Sequence, residues 1–335
     1  MSEKATARVL ELLRQHSGEA HVSGEAISRE LGVSRQAING SIKRLRSMGY
    51  VISSSTKTGY HLDSQPDRMD LDALGEYLPA DRLKRVIYYD VTDSTNTRLS
   101  ELSQQGSDVA PDGTVVIADN QRSGRGRVGR SFFSPPGCGI YISYLIRPHR
   151  GEVSGLTDWM DVTCRSAVAV GDAILEAAGI QTQIKWVNDL YLNGRKLCGI
   201  LTQTELENES SSIRSIIIGI GVNVRQEIRA FPEELRNIAT SLRAETSKEI
   251  HRAELAAAII RHLDRLRSSS DKGYYLERYR EDCPIPGRMI TLTRDRETIQ
   301  AKALRIDDDF RLVISDSDGS ERALSGEEIT NVRMT

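Results

Sequence analysis

Apolar residues at Val9, Leu10, Leu12 and Leu13 recur with a helical period and predict an amphipathic first helix. A second helix is expected from a hydroxyl cap at Ser23 to about Leu31. Gly32-Val33-Ser34 then supplies a glycine turn and a serine cap, feeding a third helix from Arg35 to about Met48 that Gly49 stops. In that helix Ile38, Ile42 and Leu45 form the buried stripe, which leaves Arg35, Gln36, Asn39 and Lys43 on the outer side. Tyr50 to Leu62, with Gly59 before Tyr60, reads as a two-stranded wing, and Ser64-Gln65-Pro66-Asp67 as a linker.

Beyond the linker the pattern alternates between strand and helix. Val86 to Val91, Val115 to Ala118 and Ile140 to Ile146 read as strands, and Leu156 to Ala178 as a long helix. Asp93-Ser94-Thr95-Asn96 caps a helix running toward Ser103 and leaves hydroxyls and amides at a strand end. Ile184 to Leu192 and Arg195 to Thr204 flank Asn193-Gly194, a strong hairpin signal, and Ile216 to Val224 is a buried strand that delivers Asn223 to its end. Thr246-Ser247-Lys248-Glu249 has the form of a capping box for a helix reaching Leu266. After Pro284 and Pro286 come short strands at Met289–Leu292, Ala301–Ile306, Arg311–Ser315 and Glu321–Leu324; with the Asp318-Gly319 turn they predict a small barrel. The expected fold is α+β and multidomain: a winged helix-turn-helix over 1–65, a central α/β domain on a mixed sheet over 66–283, and a β-barrel over 284–335.

The Asn193-Gly194 turn permits a geometric step. A two-residue loop pairs Leu192 with Arg195, Tyr191 with Lys196, Leu190 with Leu197 and Asp189 with Cys198, so Asp189, Tyr191, Lys196 and Cys198 should share one face. The carboxylate and the ammonium are either a working pair in a site or a surface ion pair of little energetic weight.

Charge changes the picture locally. Net charge is only −2 over 335 residues, yet Leu31 to Tyr60 carries five basic side chains (Arg35, Lys43, Arg44, Arg46, Lys57) and no acidic one. With the outer face of the third helix this points to a polyanion: Ser34, Arg35, Gln36 and Asn39 stand where base edges are read and Lys43 near phosphates. Cys138, Cys164, Cys198 and Cys283 form no C-x-x-C pair and the six histidines no metal-ligand spacing, so no protein-built metal cage is expected. A polar start and the lack of any apolar run near the roughly 20 residues that span a bilayer give the expectation of a cytoplasmic protein without a membrane partner.

The densest chemical signal is Gly124-Arg125-Gly126-Arg127-Val128-Gly129-Arg130, three glycines and three arginines in seven residues. Glycine lets backbone N–H groups approach a ligand, and guanidinium forks suit phosphate or carboxylate. The stretch fits the G-x-G-x-x-G dinucleotide fingerprint, but the prolines of Ser131-Phe132-Phe133-Ser134-Pro135-Pro136 forbid the helix that fingerprint needs. No Gly-Lys-Ser/Thr closes it as a phosphate loop. A flexible Gly/Arg loop is the other reading, but predicted strands on both sides weigh against it.

Taken together, Asp93-Ser94-Thr95-Asn96, Gln121 through Arg130, Lys185-Trp186-Val187-Asn188-Asp189, Arg195-Lys196-Leu197-Cys198-Gly199-Ile200-Leu201 and Gly221-Val222-Asn223 resemble the biotin protein ligases. The resemblance is to the bifunctional kind whose N-terminal helix-turn-helix represses biotin synthesis, and it spans nearly the whole chain. It implies that Ser94, Thr95, Asn96, Gln121, Arg125, Gly126, Arg127 and Lys196 contact biotin. Arg130, Phe132, Asn188 and Asn223 fall in the ATP or adenylate region, and Lys196, Arg127 and Asp189 carry the catalysis. It further implies ATP with Mg2+, biotin carboxyl carrier protein and operator DNA as partners, a homodimer when adenylate is bound, a glycine loop that orders over the adenylate, and an SH3-like C-terminal barrel. Phe132 and Val187 stand where the family usually has tryptophan and proline, and Gln203 where it has glutamate. A biotin sensor without ligase activity, and a lipoate-type ligase on the same scaffold, are the competing readings.

Overall fold

The computed structural model describes residues 3–16, 21–55, 58–148, 156–206, 213–269, 271–294, 297–316, 319–326, 329 and 331–334. Lys57 and Asp318, named above, lie outside them. The chain divides into two compact units, 1–67 and 68–335.

The first unit holds helices α1 (Glu3–Gln15), α2 (Gly24–Leu31) and α3 (Arg35–Ser47) and an antiparallel ribbon of β1 (Val51–Ser55) and β2 (Gly59–Ser64). Both serine caps form: Ser23 Oγ accepts from the Ala26 N–H at 3.0 Å and Ser34 Oγ from the Ala37 N–H at 3.2 Å. Gly32, at φ 66, makes the left-handed turn between α2 and α3. Val9, Leu13, Ile27, Ile38, Ile42, Leu45, Ile52 and Leu62 close one core, so the stripe predicted for the third helix is buried. Arg35, Gln36, Asn39 and Lys43 are all exposed.

In the second unit, α4 (Leu71–Leu74) and α5 (Ala80–Leu83) lead into β3 (Val86–Thr92), α6 (Thr95–Gln104), β4 (Val115–Gln121) and β5 (Gly139–Ile146). Then follow α7 (Leu156–Ala178), β6 (Gln183–Lys185), β7 (Asp189–Leu192), β8 (Arg195–Leu206) and β9 (Ile213–Asn223). The seven strands form one mixed sheet in the order β3-β4-β5-β9-β8-β7-β6, with only β3 and β4 parallel. Helices α8 (Leu242–Glu245), α9 (Arg252–Ser268) and α10 (Lys272–Asp282) come next. Leu255, Ile259 and Leu263 of α9 join Val168 and Ile174 of α7 in the main core against Ile142, Ile200, Ile218 and Ile220 of the sheet. A smaller cluster, Leu99 with Val116, Leu145 and Ile217, seats α6 on the other face. Apolar β9 is thus explained by burial on both sides.

Two expectations are corrected and a third is extended. The hairpin is paired as predicted only at Leu192/Arg195 and Tyr191/Lys196; a β-bulge then shifts the register so that Leu190 faces Cys198 and Asp189 faces Gly199. The bulge turns both Leu197 and Cys198 into the core, removing Cys198 from the face that carries Asp189, Tyr191 and Lys196. The capping box does not form either: Thr246 ends α8, and α9 begins six residues later at Arg252. Arg252, almost fully buried, donates to Asp119 and to the Gly139 carbonyl, so tertiary pairing sets the start of that helix. Finally, the tail forms a five-stranded antiparallel sheet, β10 (Met289–Arg294), β11 (Glu297–Ile306), β12 (Leu312–Ser315), β13 (Glu321–Leu324) and the unpredicted β14 (Asn331–Met334). Their order is β13-β12-β11-β10-β14.

Candidate active site

Every residue expected to bind biotin or nucleotide, or to catalyse, lines one cavity of about 560 Å³ on the α6 side of the sheet. Ser94, Thr95, Asn96, Gln121, Arg125, Gly126, Arg127, Arg130, Phe132, Asn188, Asp189, Lys196 and Asn223 converge there from six parts of the chain. A cavity of this size suits a ligand of cofactor dimensions.

One wall is a polar network at the N-terminus of α6. Ser94 stands at the cap position but makes no side-chain cap bond. Gln121, from the end of β4, takes over that work: its Oε1 accepts from the Thr95 N–H at 2.9 Å and from Thr95 Oγ1 at 3.1 Å. Its Nε2 donates to Ser134 Oγ at 2.9 Å. Ser143 Oγ donates to Thr95 Oγ1 at 2.8 Å, and Asn96 Nδ2 donates to Gln203 Oε1 at 2.8 Å. Gln203 therefore serves as the acceptor that fixes the Asn96 amide. Donors and acceptors are paired off in advance, which gives a rigid polar wall.

The arginine loop is a second wall. Gly126 N–H donates to the Arg130 carbonyl at 2.7 Å and Phe132 N–H to the Gly124 carbonyl at 2.8 Å, making a small hairpin. At its tip Val128 sits at φ 53, a costly conformation for a β-branched residue, with its side chain 66% exposed. Arg125 and Arg130 are exposed, whereas Arg127 is half-buried and donates from Nη1 to Asn188 Oδ1 at 3.1 Å.

The floor depends on two glycines opposite one another, Gly199 of β8 and Gly221 of β9. A Cβ on Gly221 would come within 2.6 Å of the Phe132 ring, and one on Gly199 within 3.1 Å of the Lys196 ammonium. Only bare backbone lets the phenyl ring and the lysine lie flat on the sheet. Lys196 Nζ donates to Asp189 Oδ1 at 2.7 Å, so the bulge that expelled Cys198 kept this pair. Burial, then the Asp189 charge, pushes Tyr191 up to about 12, and it stays a neutral phenol beside Lys185, whose Nζ donates to its oxygen at 3.2 Å. Burial also pushes the Cys198 thiol up, so it is no nucleophile. The Lys196 main chain is clamped as well: its N–H donates to the Ile238 carbonyl and its carbonyl accepts from the Thr240 N–H, both at 2.8 Å.

The sequence reading did not single out Ser143, nor the floor role of Gly199 and Gly221. The two glycines stood in quoted motifs, but only the fold shows what they make room for. Asn223 reaches the cavity with its Oδ1 accepting from Gln226 Nε2 at 3.2 Å. Among the described residues no group of three or more His, Cys, Asp or Glu could hold a metal ion. In the first unit, Ser34 spends its oxygen on the α3 cap, Arg35 meets Glu25 at 3.2 Å on the surface, and Asn39 accepts from the Tyr60 hydroxyl of the ribbon.

Comparison with known proteins places the chain in a family. Residues 88–223 match the biotin/lipoate A/B protein ligase family, and residues 6–61 match a helix-turn-helix domain. The chain is 36% identical to the bifunctional ligase/repressor BirA of Bacillus subtilis over 326 residues, covering 95% of this chain and 96% of that protein. It is 32% identical to BirA of Escherichia coli over 251 residues, covering 74% of this chain and 72% of the relative. Its structure resembles the biotin protein ligase from Aquifex aeolicus in complex with biotin and ATP, with a TM-score of 0.62 at 28% identity over 75% of this chain and 99% of that one. With a relative 36% identical over 95% of this chain and 96% of its own length, the chain belongs to the bifunctional biotin ligase/repressors of the biotin/lipoate A/B protein ligase family.

Proposed function

We propose that the protein joins biotin to ATP as biotinyl-5'-AMP, transfers the biotinyl group to a lysine of biotin carboxyl carrier protein, and as the adenylate-bound dimer represses biotin synthesis. The observation that carries this reading is the meeting of Arg127 and Lys196 on the cavity that also holds the Ser94–Gln121 wall.

In the first half-reaction a carboxylate oxygen attacks the α-phosphorus and pyrophosphate leaves; both reactants are anions. The guanidinium groups of Arg125 and Arg127 and the Lys196 ammonium offset that repulsion and stabilise charge on the pentavalent phosphorus. Ser94, Thr95, Asn96 and Gln121 offer biotin's ring donors and acceptors already fixed in place. Arg130, Phe132, Asn188 and Asn223 receive the nucleotide, with the Phe132 ring as a stacking surface smaller than the family's tryptophan. Asp189 holds Lys196 in position, and in the second half-reaction we assign it the proton of the attacking lysine amine. Mg2+ carried by the ATP phosphates would add positive charge at the reacting phosphorus, while Asp189 stays paired with Lys196. The finer architecture we assign is a ligase domain over 66–283 and an SH3-like barrel over 284–335. No helix among the described residues is long and apolar enough to cross a membrane, which fits the cytoplasmic placement we assign. Biotin-dependent exchange of pyrophosphate into ATP tests the reading: exchange is expected with biotin and absent with lipoate.

For the first unit, Ser34, Arg35, Gln36, Asn39 and Lys43 form the DNA-facing surface of α3. Arg35→Ala or Gln36→Ala is expected to weaken operator binding by about 1–3 kcal/mol while pyrophosphate exchange stays at the wild-type rate. A gel-shift titration beside the exchange assay checks this, and loss of exchange would mean that the two activities are not separable. Biotin plus ATP is expected to tighten operator binding roughly tenfold through dimerisation, and added salt to weaken it; a titration unmoved by both ligands would contradict the coupling.

A further inference from the structure

Arg127 is held by more than Asn188. Its Nη2 donates to the Gly326 carbonyl and, at 3.3 Å, to the Ile329 carbonyl, both in the segment that joins β13 to β14. Gly326 in turn lies flat against Val187: a Cβ there would stand 3.1 and 3.3 Å from the two valine methyls. Its N–H points at the Met160 sulfur of α7, 3.3 Å away. Val187 cannot retreat, because its side chain is buried and its carbonyl accepts from the Tyr279 hydroxyl at 3.0 Å. Gly326 and Val187 also line a second cavity, of about 590 Å³, bounded by the same arginine loop. The C-terminal part of the chain thus reaches the Arg127 wall through two backbone carbonyls, and Ile329 and Val332 line the cavity itself.

We propose that Gly326 is a positioning residue for adenylate formation: the missing Cβ lets its own backbone seat on Val187, and its carbonyl, with that of Ile329, fixes the Arg127 guanidinium at the cavity wall. Carbonyl oxygens suit this task because they accept from guanidinium N–H groups while carrying no charge of their own. A fork held by two carbonyls and an amide oxygen has one orientation, whereas an untied arginine samples many. The residue at 187 enters the same device. A methyl on residue 326 must push against the valine methyls, and shortening residue 187 makes room for it.

This inference rests on the ligase reading, so wild-type pyrophosphate exchange is the control; its absence would count against that reading and not against the contact. Gly326→Ala is expected to lower the exchange rate about tenfold, the effect of displacing a charged group by a fraction of an ångström. Val187→Ala combined with Gly326→Ala is expected to recover most of that loss. In an Arg127→Ala background, Gly326→Ala should cost nothing further, because the group it positions is gone. A merely structural glycine would cost the same in both backgrounds, and that result would overturn the proposal. Hydrogen exchange supplies a readout independent of activity: peptides carrying Gly326 and Ile329 should exchange faster in Arg127→Ala than in wild type. Unchanged exchange there, or a double variant no better than Gly326→Ala alone, would likewise refute it.

Discussion

Lys196→Ala is expected to lower biotin-dependent pyrophosphate exchange by about two decades or more. The ammonium lies in the cavity on a floor of glycine and is held by Asp189 at 2.7 Å. Its removal acts twice: the positive charge is lost, and the Asp189 carboxylate is left facing two anionic reactants. A unit charge about 4 Å away at an effective dielectric of about 20 is worth about 4 kcal/mol, and two decades need only about 2.7 kcal/mol, so the expectation stands after screening. Lys196→Arg, which keeps the charge, should recover part of the rate. Because Lys196 is at the surface of the pocket and not in the core, the thermal midpoint should move little. A wild-type exchange rate for Lys196→Ala would remove it from the chemistry.

Arg127→Ala is expected to cost a similar factor, about two decades in exchange rate, but to differ in what rescues it. Arg127 donates to Asn188 and to two backbone carbonyls, a geometry that only a planar fork can meet. Arg127→Lys should therefore remain close to Arg127→Ala, the opposite of the behaviour at position 196. Leaving those acceptors unpaired also costs about 1–3 kcal/mol of stability, so a lowered thermal midpoint should accompany the lost rate. If lysine restored exchange at position 127, the guanidinium would be acting as a point charge and the positioning account would fail.

Much of this was legible in the sequence because the signals were local. The Ser23 and Ser34 caps, the Gly32 turn and the Asn193-Gly194 hairpin each depend on a few adjacent residues, and each formed. The Ile38, Ile42, Leu45 stripe needed only a period. What failed was set at a distance. Nothing in Leu190, Leu197 and Cys198 announces a bulge, since any register buries apolar side chains; the sheet chose the one that places Gly199 opposite Gly221 on β9 and keeps Lys196 over the floor. Thr246 to Glu249 has the chemistry of a cap, but the buried Arg252–Asp119 pair starts the helix elsewhere. The arginine loop was legible from composition as an anion cradle, but not that its glycines let it fold back on itself through the Gly126–Arg130 bond. At the site, motif and spacing picked out residues that line one cavity, while the bonds that fix them, Gln121 on Thr95 and Gln203 on Asn96, emerged only from the fold.

The account's central claim is that one cavity joins biotin to a nucleotide and passes it to a protein lysine. Incubating the purified protein with biotin, MgATP and a carboxyl carrier domain, then weighing the domain by mass spectrometry, tests it most directly. One added biotinyl group on a single lysine, absent without ATP and absent with lipoate in place of biotin, is the predicted result; a carrier domain of unchanged mass, or one that takes lipoate, would contradict it.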